Sequence, residues 1–132
     1  MTFLIDTDAC SAHLKHKGIV SNRFLQYTGG LNISTIALGE LCAWALRAKA
    51  PPSRLQALRE MLGDMTVLDV TSEAAEKYGQ LQALLLDAGT PAPGMDLMIA
   101  ATALVHSLTL VTHNTQDYAN ISGLRLIDWL AP

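Results

Sequence analysis

At 132 residues, half of them hydrophobic, the chain is long enough to bury a real core of Leu, Ala, Ile and Val and has the size of a single domain, residues 1–132. A formal net charge of -3 excludes a global attraction to nucleic acid, so a phosphate ligand must be recruited locally, by a metal or a small basic patch. No apolar run reaches the roughly 18 residues of a membrane span, Phe3 to Ile5 is too short for a signal-peptide core, and Cys10 and Cys42 lack metal-pair spacing. A cytoplasmic chain with buried free thiols is expected.

In chain order, Phe3-Leu4-Ile5 reads as a buried strand that stops at the acidic turn Asp6-Thr7-Asp8, followed by a helix over Ala9 to Lys15. A second helix spans Ile19 to Tyr27, and Gly29-Gly30 breaks it. Leu31 to Ile33 is the next strand. Ser34 or Thr35 then caps a helix over Ile36 to Ala48, whose one acid is Glu40. Pro51-Pro52 ends it, and Ser53 to Leu62 is amphipathic, with Leu55, Leu58 and Leu62 on one face. Thr66 to Val70 alternates as a third strand, Ser72 caps a long helix to Ala88, and Thr90 to Gly94 is a loop. Pro93 to His106 is a helix apolar nearly all round; Leu108 to Val111 is a fourth strand, Thr112 to Tyr118 a turn and short helix, and Leu124 to Ile127 a fifth strand.

Strands alternating with helices predict an α/β fold, three-layer α/β/α with a central parallel sheet of about five strands. In such sheets ligands sit beyond the carboxyl ends of the strands. Asp6 and Asp8 follow the first strand, Asp117 follows the fourth within a turn, and Asp96 opens the helix leading into the fourth. Glu40 lies further into its helix, but side chains lean back toward a helix N-terminus, so it reaches the same mouth. Asp96 either caps its own helix or faces a cation, since no Lys or Arg lies between Lys77 and Arg125. Asp8 and Asp117 have capping readings of the same kind. Glu40, among Leu38, Leu41 and Cys42, has no obvious structural use.

Converging carboxylates repel one another unless cations lie between them. Oxygen donors without a His or Cys set favour Mg2+ or Mn2+, whose bound water is easier to deprotonate and can be placed in line with a phosphorus. His13, His16, His106 and His113 are scattered and assigned to no metal. Lys15, Lys17, Arg47, Lys49, Arg54 and Arg59 read as solvated faces, or as a grip on RNA phosphates if assembly gathers them.

The motifs Leu4-Ile5-Asp6-Thr7-Asp8, Ser34 to Glu40-Leu41, Asp96 to Ala103 and Leu110 to Tyr118, followed by Gly123-Leu124 and Ile127-Asp128-Trp129, resemble PIN-domain proteins, most of all the VapC-type toxins of bacterial toxin-antitoxin pairs. The resemblance implies a metal-dependent endoribonuclease that hydrolyses RNA phosphodiester bonds, with Asp6, Glu40 and Asp96 as metal-site acids and Asp117 as the more variable fourth. It also implies an RNA substrate, a cognate antitoxin that covers the site, and a homodimer, with no membrane partner. Two departures stand out: Asp8 replaces a frequent Asn, and Asn114 replaces a frequent acid. Thr112, Asn114 and Asp8 are expected to position substrate or outer-sphere water. The first motif also resembles haloacid-dehalogenase-type phosphatases, in which Asp6 would be the nucleophile, but that reading needs a later Lys and an acidic pair and leaves Glu40 unexplained. An inactive PIN-like module that only binds RNA or protein is the non-enzymatic alternative.

Overall fold

The computed structural model describes residues 2–15 and 18–131; His16 and Lys17 lie outside them. Five strands, β1 (Phe3–Ile5), β2 (Leu31–Ser34), β3 (Thr66–Leu68), β4 (Thr109–Val111) and β5 (Leu126–Ile127), form one parallel sheet in the order β3-β2-β1-β4-β5. Six helices flank it: α1 (Thr7–Leu14), α2 (Gly18–Gln26), α3 (Thr35–Ala45), α4 (Pro52–Leu62), α5 (Ser72–Asp87) and α6 (Gly94–Val105), with a 3-10 turn at Thr115–Tyr118. Right-handed crossovers put α1 to α4 on one face and α5 with α6 on the other, and the packing of α1 on α2, α3 and α4, and of α5 on α6, agrees.

The central strand is β1. Phe3 pairs with Leu31 and Thr109, Leu4 with Asn32 and Leu110, Ile5 with Val111. Every residue of β1 and β4 is buried, which is why both read as continuous apolar runs and not as alternating ones. On the second face α6 buries Leu97, Ile99, Ala100, Ala101, Thr102 and Ala103; its small residues allow close approach to the sheet. Full burial of Leu97 and Ile99 stabilises the fold by about 1.5–3 kcal/mol each. Thr102, the one polar residue of that group, donates its hydroxyl to Met98 O at 2.9 Å and so adds no unpaired donor. At the amino ends of the strands, Phe3, Tyr27 and Trp129 pack ring to ring, closing the end of the sheet opposite its carboxyl mouth.

Several element ends differ from expectation. The third helix stops at Ala45, because the residues before Pro51-Pro52 turn the corner into α4. The cap of α5 is Thr71, whose hydroxyl oxygen accepts from Ala74 N at 3.1 Å, one residue before the expected Ser72. The fifth strand pairs only at Leu126 and Ile127, after Gly123 turns at φ 81. Cys10 is buried, Cys42 half-buried, and both are free thiols. No helix among the described residues is long and apolar enough to cross a membrane.

Candidate active site

The strand order reverses direction at β1, with β2 on one side and β4 on the other, so the crevice of the fold opens where β1 and β4 end. Asp6 stands there. Its backbone N–H donates to Val111 O at 2.9 Å, which locks the end of β1 to the end of β4. Its side chain is nearly inaccessible, at 6% exposure. Oδ1 accepts from Thr7 N at 2.8 Å as the N-cap of α1, and Oδ2 accepts from the Tyr118 hydroxyl at 2.9 Å. Even so, burial and then the charge of Asp8 push its pKa up from an ordinary 3.8 to about 6. Two hydrogen bonds offset only part of the desolvation. The Tyr118 hydroxyl is itself held protonated by burial and the charge of Asp6, so it stays a donor.

Asp8, in the first turn of α1, fixes the loop that follows β4. Its Oδ2 accepts from His113 N at 2.9 Å, Asn114 N at 3.2 Å and the Thr112 hydroxyl at 3.3 Å. Its Oδ1 is buried and accepts no hydrogen bond among the described residues. Thr112 is fully buried and also takes the Asn114 N–H on its hydroxyl oxygen at 3.2 Å, so it works on the loop, while the Asn114 side chain is exposed.

Glu40 reaches the same place from α3. Its Oε1 accepts from the Thr7 hydroxyl at 2.7 Å, which ties it to the first residue of α1. Asp96 lies in the first turn of α6, where the cap position is Pro93 and no side chain caps the helix. The capping reading of Asp96 therefore fails. Its pKa is raised by partial burial and then by the charges of Asp117, Glu40 and Asp8, which places those acids in one field. Asp117 is exposed in the 3-10 turn and likewise caps nothing; its backbone N–H donates to Asn114 O at 3.0 Å. The sequence-predicted acids Asp6, Asp8, Glu40, Asp96 and Asp117 are thus brought to one mouth.

No Lys or Arg neutralises them: the one ion pair among the described residues is His113 Nδ1 with Asp128 Oδ2, 3.0 Å, on the rim. Among the described lysines, Lys15 ends α1 at the far end from Asp6, and Lys49 and Lys77 line cavities that hold none of the five acids, so none of the three stands as the lysine of a phospho-aspartate mechanism. Beneath the acids, Cys10 donates to Ile5 O at 3.9 Å, and burial with the charges of Asp6 and Asp8 holds it as a thiol, unfit as a metal ligand.

The donors are oxygens only, they lack a protein counter-charge, and one buried carboxylate oxygen is unpartnered; that chemistry fits a hard divalent cation. Among the described residues no three carboxylate, imidazole or thiol groups already close into a cage. An open set of this kind suits Mg2+, which keeps water and takes phosphate oxygens as further ligands. Two residues that orient the acids, Thr7 and Tyr118, were not singled out from the sequence. Thr7 stood between two acids, and Tyr118 followed Asp117, but only the folded chain sets them against Glu40 and Asp6.

A buried acid at the crevice of a parallel sheet, with further acids around it and no ion-paired Lys or Arg among the described residues, defines an α/β protein with an acidic crevice at the carboxyl ends of its strands. Residues 3–124 match the PIN domain family, and the chain belongs to that family. It is 34% identical over 130 residues, 98% of each chain, to the tRNA(fMet)-specific endonuclease VapC of Shigella flexneri. The solved structure of DNA-bound VapBC from Salmonella typhimurium is similar with a TM-score of 0.91 and 35% identity over 98% of both chains. Further off, VapBC-5 from Mycobacterium tuberculosis, of the VapBC family of toxin-antitoxin systems, gives 0.70 and 25% over 96% of both.

Proposed function

We propose that this chain is a VapC-type endoribonuclease, the toxin of a toxin-antitoxin pair, and that Asp6, Glu40, Asp96 and Asp117 hold Mg2+ or Mn2+ for hydrolysis of RNA phosphodiester bonds. The observation that carries the reading is Asp96: a half-buried acid in the first turn of an apolar helix, capping nothing, sharing its field with Asp117, Glu40 and Asp8 and with no ion-paired cation among the described residues to offset them. Acids so placed cost stability and are accounted for by a ligand that repays it. A bound divalent ion would supply a more acidic water and neutralise charge on the phosphate oxygens.

The residues of the chain do the rest. The Thr7 N–H and the Tyr118 hydroxyl each hold one oxygen of Asp6, which fixes its carboxylate at the end of β1. Thr7 holds Glu40 at the solvent-exposed side, where its carboxylate takes the proton of the attacking water. That water adds its oxygen to the phosphorus, and the departing ribose oxygen leaves with a proton from solvent. Asp8, through Thr112, His113 and Asn114, keeps the loop beside β4 in one conformation, and the exposed Asn114 amide contacts the substrate. Asp117, on the rim, acts through water.

A cognate antitoxin covers this mouth, the toxin pairs as a homodimer, and the work is done in the cytoplasm. The names of the Shigella relative and its kin make initiator tRNA the first substrate to try. The test is cleavage of initiator tRNA and of a mixed RNA pool in Mg2+, in Mn2+ and in EDTA, with Asp96→Asn alongside. Cleavage that needs metal and falls by at least about 100-fold in the variant is expected. Equal cleavage by both proteins, or cleavage in EDTA, would remove the reading.

A further inference from the structure

The mouth is acidic and the whole chain carries -3, so a polyanion is repelled from the carboxylates unless a separate cationic surface holds it. The corner between α3 and α4 offers one. Arg47, Ala48, Lys49, Ala50 and Arg54 line a cavity of about 530 Å3 whose wall carries cations and no acid. Arg54 is pre-set within it: its Nη1 donates to Trp44 O at 3.2 Å, and its guanidinium carbon stands 5.0 Å from the centre of the Trp44 ring. Arg47 and Lys49 are exposed beside it. None of these cations is in an ion pair among the described residues. Like charges gathered without counter-charge repel one another, and a bound anion relieves that cost. The first turn of α4 opens at the same corner, and its cap residue Pro51 brings no side-chain acceptor, so the positive end of the helix adds to the field.

The corner also lies in the right place. Arg47 follows Glu40 by seven residues and lies just past Leu46, the C-cap of α3, so it stands about 10 Å from Glu40 along the direction of that helix. From there α4 runs so that Ala57, Met61 and Asp64 meet His13 and Leu14, at the end of α1 remote from Asp6.

We propose that Arg47, Lys49 and Arg54 form a phosphate-binding site that holds the sugar-phosphate backbone of single-stranded RNA beside the bond to be cut. Arg54, stacked on Trp44, is the fixed anchor, and Arg47 and Lys49 close on a neighbouring phosphate. This assignment rests on the ribonuclease reading above.

The test uses the full chain carrying Asp96→Asn, so that RNA is bound and not cut, and a short fluorescent single-stranded RNA whose anisotropy is followed in Mg2+ across a salt series. Each phosphate contact contributes about 0.7 to the slope of log affinity against log salt for single strands. Removing Arg47 and Lys49 together (Arg47→Ala, Lys49→Ala) is expected to weaken binding and lower the slope by about 1.4. A charge-matched pair elsewhere, Lys15→Ala with Arg23→Ala, is expected to leave the slope in place; these four residues are exposed, so folding is retained and is checked by circular dichroism. Arg54→Met is expected to weaken binding and lower the slope by about 0.7, and Arg54→Lys to keep part of that contact. Equal shifts in both pairs would mean that net charge alone matters and overturn the site, as would an unchanged slope in the first pair. Wild type that cuts RNA while the first pair binds normally sinks only this assignment; a parent that binds no RNA sinks both.

Discussion

Replacing Asp6 by Asn in metal-free protein should stabilise it, although Asp6 caps a helix and holds two hydrogen bonds. Burial and the charge of Asp8 raise the Asp6 pKa from 3.8 to about 6 in the folded chain. An acid whose folded pKa is raised is more easily protonated when folded, so the folded state gains as pH falls from about 6 toward 4 and is penalised above about 6, where both states are ionised. With one pKa unit worth 1.36 kcal/mol, the penalty at pH 7.5 is roughly 3 kcal/mol, falling to about 0.5 kcal/mol at pH 4. Asn removes the charge while its carbonyl oxygen still accepts from Thr7 N, and Asn caps as well as Asp. In EDTA at pH 7.5 the variant should therefore unfold with a free energy higher by up to roughly 3 kcal/mol, or about 10 °C in Tm, and the two proteins should converge near pH 4. Urea unfolding at the two pH values reads the difference. A variant less stable than wild type at pH 7.5, or a gap that does not close on acidification, would show that Asp6 is a cap without a desolvation penalty.

The other acids and their supports give contrasting outcomes. Asp96→Asn should leave metal-free stability unchanged or slightly higher, because Asp96 caps nothing; a loss of the about 1 kcal/mol typical of a helix cap, read by denaturant titration, would restore the capping reading. Asp8→Ala should destabilise by about 2 kcal/mol, since His113 N, Asn114 N and the Thr112 hydroxyl lose their acceptor, and amide exchange at residues 112–114 should quicken in step. Tyr118→Phe leaves Asp6 Oδ2 without its donor and should weaken Mn2+ binding by about 10- to 100-fold with the fold intact, as measured by calorimetry.

The sheet was legible because its central strands are buried on both faces, and Phe3-Leu4-Ile5 and Leu108 to Val111 show that as unbroken apolar runs. The acids were legible for the reason that makes them costly: Asp96 and Glu40 interrupt apolar helices, where a charge without a use is rare. What periodicity left open was which end of an element each acid serves. Asp96 as cap or ligand turns on one backbone detail, the placement of Pro93 at the cap, and Asp8 turned out to hold three groups of a loop more than 100 residues away. Tyr118 and Thr7 escaped notice because their value lies in hydrogen bonds between distant segments, which leave no trace in local spacing. The ends of α3 and β5 shifted for a similar reason, since turns set by Pro51-Pro52 and Gly123 decide how far a pattern continues as an element.

Equilibrium binding of Mn2+ at pH 7.5, followed by calorimetry for wild type and for Asp6→Asn, Glu40→Gln and Asp96→Asn, tests most directly whether the converging carboxylates are a cation site. Wild type should bind, and each substitution should weaken binding by at least about tenfold while the protein stays folded. Binding that is absent in wild type, or unchanged when any two of these acids are neutralised, would contradict the account.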